Sequence, residues 1–463
     1  MKKGLIAGAA LTAAALLITP HFVGHSIEQD INQLIDNINK APGYQAESLR
    51  HNRLWFSSQG AIRITFGGQM FANMPGHEPV SFDVEYAAEH GPLLFNAQGP
   101  LAWASFWASV DADQLPEEVQ LAEGEPFYLS EGNISLAGTI NMHDVIPRFS
   151  VETDDMLIEF GGFEGRGALG NTLDYQGSAG LISVSSEQGN FSLDKITVNL
   201  DLENNWQNGL TLSFAEGSQQ VALHNIRFSS EVHDQQVSIE SLNLDTLSEK
   251  VSDELNRVAF TYALNNLQAN DFSMNKAIFT MSLGNLHNDV LDGYSRLIED
   301  MQNLADPDDL PKPAQDYLND ILGALVKHQP SLNIDELSFV LPAGEFNGHL
   351  NAELVGVDAL PDPLNDQAFW LQHVSANGKV SMDVTLANYL GGMAMRQQLA
   401  DNPQFADMSE DQQQAVLQQQ VNGGIQMLVA QGMLEQTDEK LISNLTFKDS
   451  ILTINQQQIP LGL

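Results

Sequence analysis

The sequence predicts an α+β protein that is mainly antiparallel β: a curved, elongated sheet with packed helices, plus one N-terminal transmembrane helix. Three observations lead to this fold class. An uncharged segment follows Lys2 and Lys3, stretches of alternating apolar and polar residues fill the chain from Leu54 to about Asp245, and helical spacing is confined to the start and the second half. Alternation is typical of strands that bury one face. No strand–helix–strand alternation is seen, which argues against a parallel doubly wound fold.

The composition excludes several classes of function. The 463 residues include 60 Asp and Glu but only 20 Lys and Arg, for a formal net charge of −40. The bulk of such an acidic chain is a poor partner for nucleic acid or for anionic lipid headgroups, whose binding needs basic patches. The absence of Cys excludes disulfides, thiolate catalysis and Cys-ligated zinc. The length suggests roughly three domains, and 43% hydrophobic residues are enough to build a core.

Residues 1–24 are predicted to be a signal anchor. Lys2 and Lys3 precede a run without charge, and the first acidic residue is Glu28. About 20 apolar residues cross the hydrocarbon core, and the two lysines favour a cytoplasmic N-terminus, so the body faces out of the cytoplasm. A cleaved signal peptide has the same charged start, but residues 19–25 offer no good pair of small residues for cleavage.

Residues 25–41 are predicted to form an amphipathic stalk helix. Ser26 and Gln29 fit a capping box, and Pro42-Gly43 is a stop signal. This helix is expected to pack on the body or on a second copy of the chain. Its apolar positions fall on one face at helical spacing: Ile27, Ile31, Leu34, Ile35 and Ile38.

One apolar pattern, apolar-x-apolar-x-x-apolar-x-apolar, recurs in the body. In a flat strand its central slip of one residue would turn the second pair to the other face. A bulge or a tight bend in the middle keeps both pairs on one face and bends the strand, whereas the alternative is two short strands joined by a turn. The matches are Phe191–Val198, Val221–Phe228, Val237–Leu244 and Leu332–Phe339, with a weaker one at Phe272–Phe279.

The rest of the chain divides by composition. Residues 42–245 are predicted to be a β-rich extracytoplasmic region, 246–330 a helix-rich insertion, and 331–463 strands with a C-terminal Gln-rich helix and a closing hairpin. Ser409 and Gln412 fit a second capping box. The apolar sets with helical spacing are Val251, Leu255, Val258 and Tyr262; Val290, Tyr294, Leu297 and Met301; and Tyr317, Ile321, Leu322 and Leu325.

Short motifs occur in order along nearly the full length of the chain. They are Asn52–Ser58, His90–Leu93, Pro330–Leu337, Gly344 and Leu452–Gln456. In these motifs the chain resembles the YdgA-like family of bacterial envelope proteins. The resemblance implies a single-pass bacterial inner-membrane protein with its body in the periplasm, a capacity to self-associate and an uncharacterised biochemical role. It assigns no catalytic residue, so the candidate site positions are family-motif residues of unknown role: Trp55, Phe56, Ser57, Ser58, His90, Gly91, Pro92 and Leu93.

Residues that suggest specific chemistry are few. Gly165–Gly170 matches the dinucleotide fingerprint, but no helical pattern follows it, so a turn between strands is preferred. His21 and His25 are four residues apart and so share one face of a helix, as two metal ligands would, but the sequence offers no third ligand. His90 is expected to fix a turn rather than act as a general base. Core packing is the default for the aromatic residues near the anchor, with a membrane-facing or partner-facing rim as the alternative: Trp55, Phe56, Trp103, Phe106 and Trp107.

Three functions are therefore weighed. The first is a non-enzymatic binding or scaffold protein whose curved sheet holds an apolar ligand, such as a lipid acyl chain, or a partner's apolar segment. The alternative is a purely structural, self-associating envelope protein whose helices close the sheet. A third is an envelope hydrolase with His90 beside a Ser or a carboxylate. No cofactor, metal or catalytic residue is predicted, and the expected partners are the membrane, a lipid and a second copy of the chain.

Overall fold

The computed structural model describes residues 2–40, 43–66, 80–94, 101–122, 124–153, 155–203, 215–230, 232, 234–291, 293, 312–399 and 402–459. The chain divides into two compact units, one formed by residues 1–234 and 294–315 and the other by residues 235–293 and 316–463. As the sequence predicts, the structure is mainly antiparallel β with a few helices, and its strands form open, curved sheets.

The first unit contains one helix and fourteen strands among its described residues. They are α1 (Lys2–Lys40), β1 (Tyr44–Arg53), β2 (Ser57–Phe66), β3 (Val80–His90), β4 (Ala104–Val110), β5 (Val119–Leu121), β6 (Tyr128–Ile134), β7 (Ile140–Ile146), β8 (Phe149–Glu152), β9 (Met156–Phe160), β10 (Phe163–Leu169), β11 (Thr172–Ala179), β12 (Ile182–Ser186), β13 (Gly189–Glu203) and β14 (Gly217–Ser230).

Antiparallel pairing links these strands in the order β1-β2-β3-β4-β6-β7-β10-β11-β13-β14, while β5-β8-β9-β12 joins the same strand β13. Consecutive pieces such as β9 and β10 are therefore halves of one long strand, interrupted at Gly161-Gly162. A Cβ on Gly161 would lie 2.6 Å from the Leu181 backbone nitrogen, and Gly162 has a φ of 90°. Glycine permits both the close backbone approach at 161 and the positive φ at 162. The interruption between β9 and β10 therefore lets the long strand change direction.

Helix α1 packs on the sheet of the first unit. Ile27 forms a buried cluster with Ala88 of β3 and Ala104 of β4, flanked by Val23, Ile31, Phe106 and Ile134. This confirms that the amphipathic segment packs on the body. The helix start predicted at Ser26 is wrong, because α1 runs without interruption from Lys2 to Lys40 and carries Pro20 inside it.

The predicted anchor over 1–24 falls mostly on residues 2–18, whose side chains lie outside the described part of the chain. Within the part that is described, no helix combines the length and the apolar character that crossing a bilayer requires.

The second unit contains the remaining elements. They are β15 (Gln235–Lys250), β16 (Leu255–Ala269), β17 (Phe272–His287), α2 (Lys312–Lys327, which begins four residues before the unit boundary), β18 (Ser331–Leu341), β19 (Gly344–Leu354), α3 (Gln367–His373), β20 (Val374–Asp383), α4 (Val384–Leu399), α5 (Pro403–Ala406), α6 (Glu410–Ala430), β21 (Glu435–Gln436), β22 (Lys440–Lys448), β23 (Ile451–Ile454) and β24 (Gln457–Ile459). Its sheet runs β15-β16-β17-β18-β19-β20-β22-β23-β24, with β21 also on β22.

Two helix predictions in this unit are confirmed. Helix α2 contains the set from Tyr317 to Leu325, and α6 is the Gln-rich helix, with the Ser409–Gln412 capping box formed as predicted. The closing hairpin is β22–β23, whose turn residues Asp449 and Ser450 have φ of 51° and 60°. Left-handed values at both turn residues match the twist of an antiparallel hairpin.

The helix predicted from Val251, Leu255, Val258 and Tyr262 is wrong. The last three residues lie on β16. Residues four apart share a face of a strand as well as of a helix, because four is a multiple of the strand period of two. The odd step of three, from Leu255 to Val258, spans a register shift of β16 against β17 between Asn256 and Val258. For the set beginning at Val290, only that residue lies in a described helical stretch, and Tyr294, Leu297 and Met301 fall outside the described residues.

The recurring apolar pattern lies on single continuous strands, which confirms the interpretation with a central irregularity and overturns that with a turn. In β14 the irregular residue is Asn225, with a φ of 54°. In β18 the register against β19 shifts between Ile334 and Leu337. Pattern positions of β13 and β14 then lie directly opposite one another: Phe191 and Phe228, Leu193 and Ile226, Ile196 and Leu223, Val198 and Val221.

We expect Asn225→Val to destabilise the first unit by about 1–2 kcal/mol, because a β-branched residue resists a left-handed backbone. Asn225→Gly should cost less, since glycine adopts that conformation freely. The matched control is Asn199→Val, at an exposed position of the neighbouring β13. Urea unfolding of the full chain measures the free energy of unfolding of each variant and of the wild type. An Asn225→Val protein as stable as the Asn199→Val protein would contradict a left-handed backbone at Asn225.

Candidate functional site

The two family-motif segments meet at one end of the first unit. Strand β2 begins at Ser57 and β3 ends at His90, and their antiparallel register places Ser57 opposite Glu89. The His90 backbone N–H donates a hydrogen bond of 2.8 Å to the Phe56 carbonyl. A cavity of about 530 Å³ opens here, lined by Pro20, Phe56, Ser57, Glu89, His90, Gly91, Pro92, Leu93 and Leu94.

Ser58 and His90 form a buried hydrogen-bonded pair. The Ser58 Oγ and His90 Nε2 atoms are 2.9 Å apart, and the two residues are only 1% and 3% exposed. The Nδ1 atom of His90 is buried without a hydrogen-bond partner among the described residues. Burial lowers the pKa of His90, the nearby Trp55 and Pro20 backbone groups oppose this, and Arg53 reinforces it. The imidazole is therefore held neutral.

Helix α1 closes over His90 at Gly24. A Cβ at that position would clash with the Cε1 atom of His90 and lie 2.8 Å from its Nδ1. Behind His90, a Cβ on Gly91 would meet the Ala102 carbonyl, and the Gly91 N–H donates to the Trp103 carbonyl at 2.6 Å. Because Gly24 and Gly91 have no side chain, α1 can lie against the His90 ring and the backbone at Ala102 can lie against Gly91. The expected role of His90 in a local turn is too narrow, because its ring also links β2 to α1.

The site favours a structural link over hydrolysis. A Ser–His contact is the first requirement of nucleophilic catalysis, and the structure brings the two side chains together. However, a nucleophile must reach its substrate, and Ser58 is almost fully buried. An acidic residue that orients the other ring nitrogen is a further element of such sites, and the buried Nδ1 of His90 has no hydrogen-bond partner within the described chain.

Several aromatic residues near the anchor are exposed rather than in the core. Trp55 and Phe56 are 51% and 52% exposed, and Trp107 is 40% exposed. The His21 ring stacks on Trp55 with centroids 5.0 Å apart. Core packing is thus wrong for Trp55, Phe56 and Trp107, whereas Phe106 packs against the buried cluster under α1.

His21 and His25 do not come together as metal ligands. His25 instead contacts Arg53, whose guanidinium lies 3.0 Å from its Nδ1, and Glu28. Within the described ranges, no group of three His, Asp or Glu side chains has metal-binding geometry.

The glycine motif at 165–170 runs along a strand and ends at Gly170 in the predicted turn between two strands, so it is not a nucleotide loop. Gly165 and Gly167 lie on β10, which β11 follows directly. A Cβ on either glycine would clash with the ring of Tyr175, and a Cβ on Gly177 would clash with the ring of Phe163. The glycines therefore leave room for aromatic rings to lie flat on the sheet.

The same face carries a buried carboxylate that the sequence analysis missed. Asp144 accepts hydrogen bonds from Tyr128, at 2.9 Å, and from Tyr175, at 3.0 Å. Burial and the neighbouring Asp144 charge raise the pKa of Tyr128 to about 12. No local spacing reveals this group, because its members lie on β6, β7 and β11.

A second missed feature is a row of six rings that crosses the strands of the first unit, here called the aromatic row. Successive ring centroids are 5.4, 5.9, 6.0, 5.8 and 5.0 Å apart. The row consists of Tyr44, Phe66, Phe82, Phe127, Phe149 and Phe160. Strand register continues it through Ile182 and Leu193 to Ile226.

Comparison with known proteins identifies the family. A family model described as "Bacterial protein of unknown function (DUF945)" matches residues 1–462. The chain belongs to this family. No curated protein and no solved structure matches it. The match agrees with the bacterial family of unknown function that the motifs indicate, and the narrower YdgA-like designation stays an expectation.

We expect Gly24→Ala to loosen α1 from the sheet by about 1–3 kcal/mol, because its methyl group would overpack the His90 ring. The matched control is Gly423→Ala in α6, where a Cβ meets nothing within 4 Å. There the same change should stabilise by up to about 1 kcal/mol through helix propensity. Hydrogen exchange of α1 and α6 peptides measures both effects. Equal protection of α1 in the wild type and in the Gly24→Ala protein would exclude the contact.

We expect the attachment of α1 to weaken as the pH falls. Burial lowers the pKa of His90 in the folded state, so folding favours the neutral imidazole. The stabilisation from the neutral side chain is complete above the pKa of ~6.5 that His has in the unfolded chain, and it is lost as the pH falls below that value, by up to about 1.4 kcal/mol per pH unit. Hydrogen exchange of α1, compared between about pH 7.5 and 5.5, should show this loss in the wild type and in a control with the exposed His349→Asn change. A His90→Asn protein with the same pH dependence as the control would refute it.

Proposed function

We propose that the protein is a non-enzymatic binding protein of the bacterial inner membrane that holds a lipid acyl chain against the aromatic row of its periplasmic body. The observation that carries this proposal is the aromatic row itself. Its phenylalanine rings are half-buried, Tyr44 is 42% exposed, and the rings follow one another without a polar interruption. Covering such a surface stabilises a complex by ~25 cal/mol per Å² of apolar area.

The dimensions of the row suit an acyl chain. Neighbouring strands are ~4.8 Å apart, so the five steps from the first ring to the sixth span roughly 24 Å. One lipid leaflet contributes about half of the ~30 Å hydrocarbon core, so the row is long enough for one extended chain. The row also runs across the strands, and the apolar pairs Ile182–Leu193 and Leu193–Ile226 prolong it in register.

The second unit offers less support for this role. It has aromatic pairs on neighbouring strands, Tyr262 with Phe279 and Phe339 with Phe346. Its helices α4 and α6 pack together and α4 also packs on β19 and β20, so part of the sheet is already covered by the chain. The proposal therefore rests on the first unit.

The test is photocrosslinking in membranes. The full chain carrying benzoylphenylalanine in place of Phe82, in the middle of the row, should form a lipid adduct on irradiation, detected by mass spectrometry. The matched control carries the same group in place of Ser81, the preceding residue of β3, which is exposed on the other face. We expect an adduct at 82 and none at 81, and Phe160→Asp should reduce the adduct at 82.

Two results would count against an acyl chain. Equal lipid labelling at 81 and 82 would indicate contact with bulk membrane rather than a bound chain. A crosslink at 82 between two copies of the protein would favour the structural, self-associating alternative.

A further inference from the structure

The end of the first unit that contains the Ser58–His90 pair exposes a compact set of large apolar side chains, here called the exposed rim. They come from α1, from the turn between β1 and β2, and from the segments between β3 and β4. The members and their exposed fractions are Phe22 65%, Leu54 61%, Trp55 51%, Phe56 52%, Leu93 45% and Leu101 59%.

The members of the rim are held together by contacts. His21 of α1 stacks on Trp55, Phe56 and Leu93 line the same cavity, and Leu93 pairs with Leu101 in an antiparallel bridge. The Leu54 N–H donates a hydrogen bond of 2.8 Å to the Ser57 carbonyl, which fixes the turn that presents Trp55 and Phe56. The rim is therefore a preformed apolar surface.

The charges beside the rim are largely balanced, in a chain with a net charge of −40. Arg53 lies 3.1 Å from a Glu28 carboxylate oxygen, and Arg50 pairs with Glu85. Glu89 lines the neighbouring cavity. An apolar surface beside paired acids such as Glu28 and Glu85 can approach a lipid surface at a lower electrostatic cost than the rest of this acidic chain.

We propose that the exposed rim docks on the bilayer surface beside the point where α1 leaves the body. The chain that precedes His21 carries no charge from Gly4 to Pro20, and α1 continues through this segment as one helix. Trp and Phe are typical of the interface between hydrocarbon and headgroups. The rim has six side chains, whereas a stable protein interface takes about 20–30 residues a side, so a bilayer fits it better than a second copy.

The inference concerns a different surface from the aromatic row and does not depend on the bound acyl chain. Docking would hold one end of the strands of the first unit at the membrane surface. It also explains why three of the candidate site residues, Trp55, Phe56 and Leu93, are apolar yet exposed.

Site-directed spin labelling provides the test, because the chain has no Cys and single-Cys variants need no other change. The full chain would be reconstituted into vesicles of phosphatidylethanolamine and phosphatidylglycerol with a nitroxide at Trp55→Cys or at Leu93→Cys. The matched control is Leu157→Cys on β9, another exposed leucine of the first unit, at 37%. Collision rates with oxygen and with a water-soluble nickel complex report the depth of each label.

We expect the labels at 55 and 93 to collide more with oxygen than with the nickel complex, and the label at 157 to show the reverse. High salt should not change this order, since apolar burial is not screened. Aqueous rates at 55 and 93 equal to those at 157 would overturn the proposal. So would a spin–spin or disulfide contact between two copies at position 55, which would assign the rim to self-association.

Discussion

The sheet depends on keeping apolar side chains on one face along strands whose sequence slips by one residue. A slip in a flat strand would turn half of each apolar set to the opposite face. In β18 a register shift against β19 absorbs the extra residue. In β14 the left-handed backbone of Asn225 marks the centre of the pattern, while the register with β13 stays unchanged. The pattern positions of β13 therefore meet those of β14 on both sides of Asn225.

Glycine plays the corresponding role where elements approach closely. Gly24 lets α1 contact the His90 ring, Gly91 lets β3 run against the Ala102 carbonyl, and Gly165 makes room for Tyr175. These contacts attach the helix and flatten the aromatic rings onto the sheet. The His90 end of the first unit is consequently closely packed around these glycines.

Predictions from the sequence are correct where one local rule dominates. The capping box at Ser409 and the closing hairpin form as predicted, because each depends on nearby residues only. The helix predicted over Val251–Tyr262 is wrong, because a register irregularity in a strand gives the three-residue step that the pattern shares with a helix. The helix start predicted at Ser26 is wrong, because the helix begins upstream and needs no cap there. The aromatic row was missed because its rings come from separate strands.

The sequence by itself determined the mainly antiparallel β class, the places where the apolar pattern slips by one residue and a resemblance to a bacterial family of unknown function, since alternation, slip and motif order are properties of the linear chain. It also singled out Ser58 and His90 as motif positions. Only the tertiary structure decided that these two side chains are hydrogen-bonded and buried and that Trp55 and Phe56 are exposed. Pairing between β2 and β3 joins residues 32 apart in the chain, and no local preference specifies such a contact.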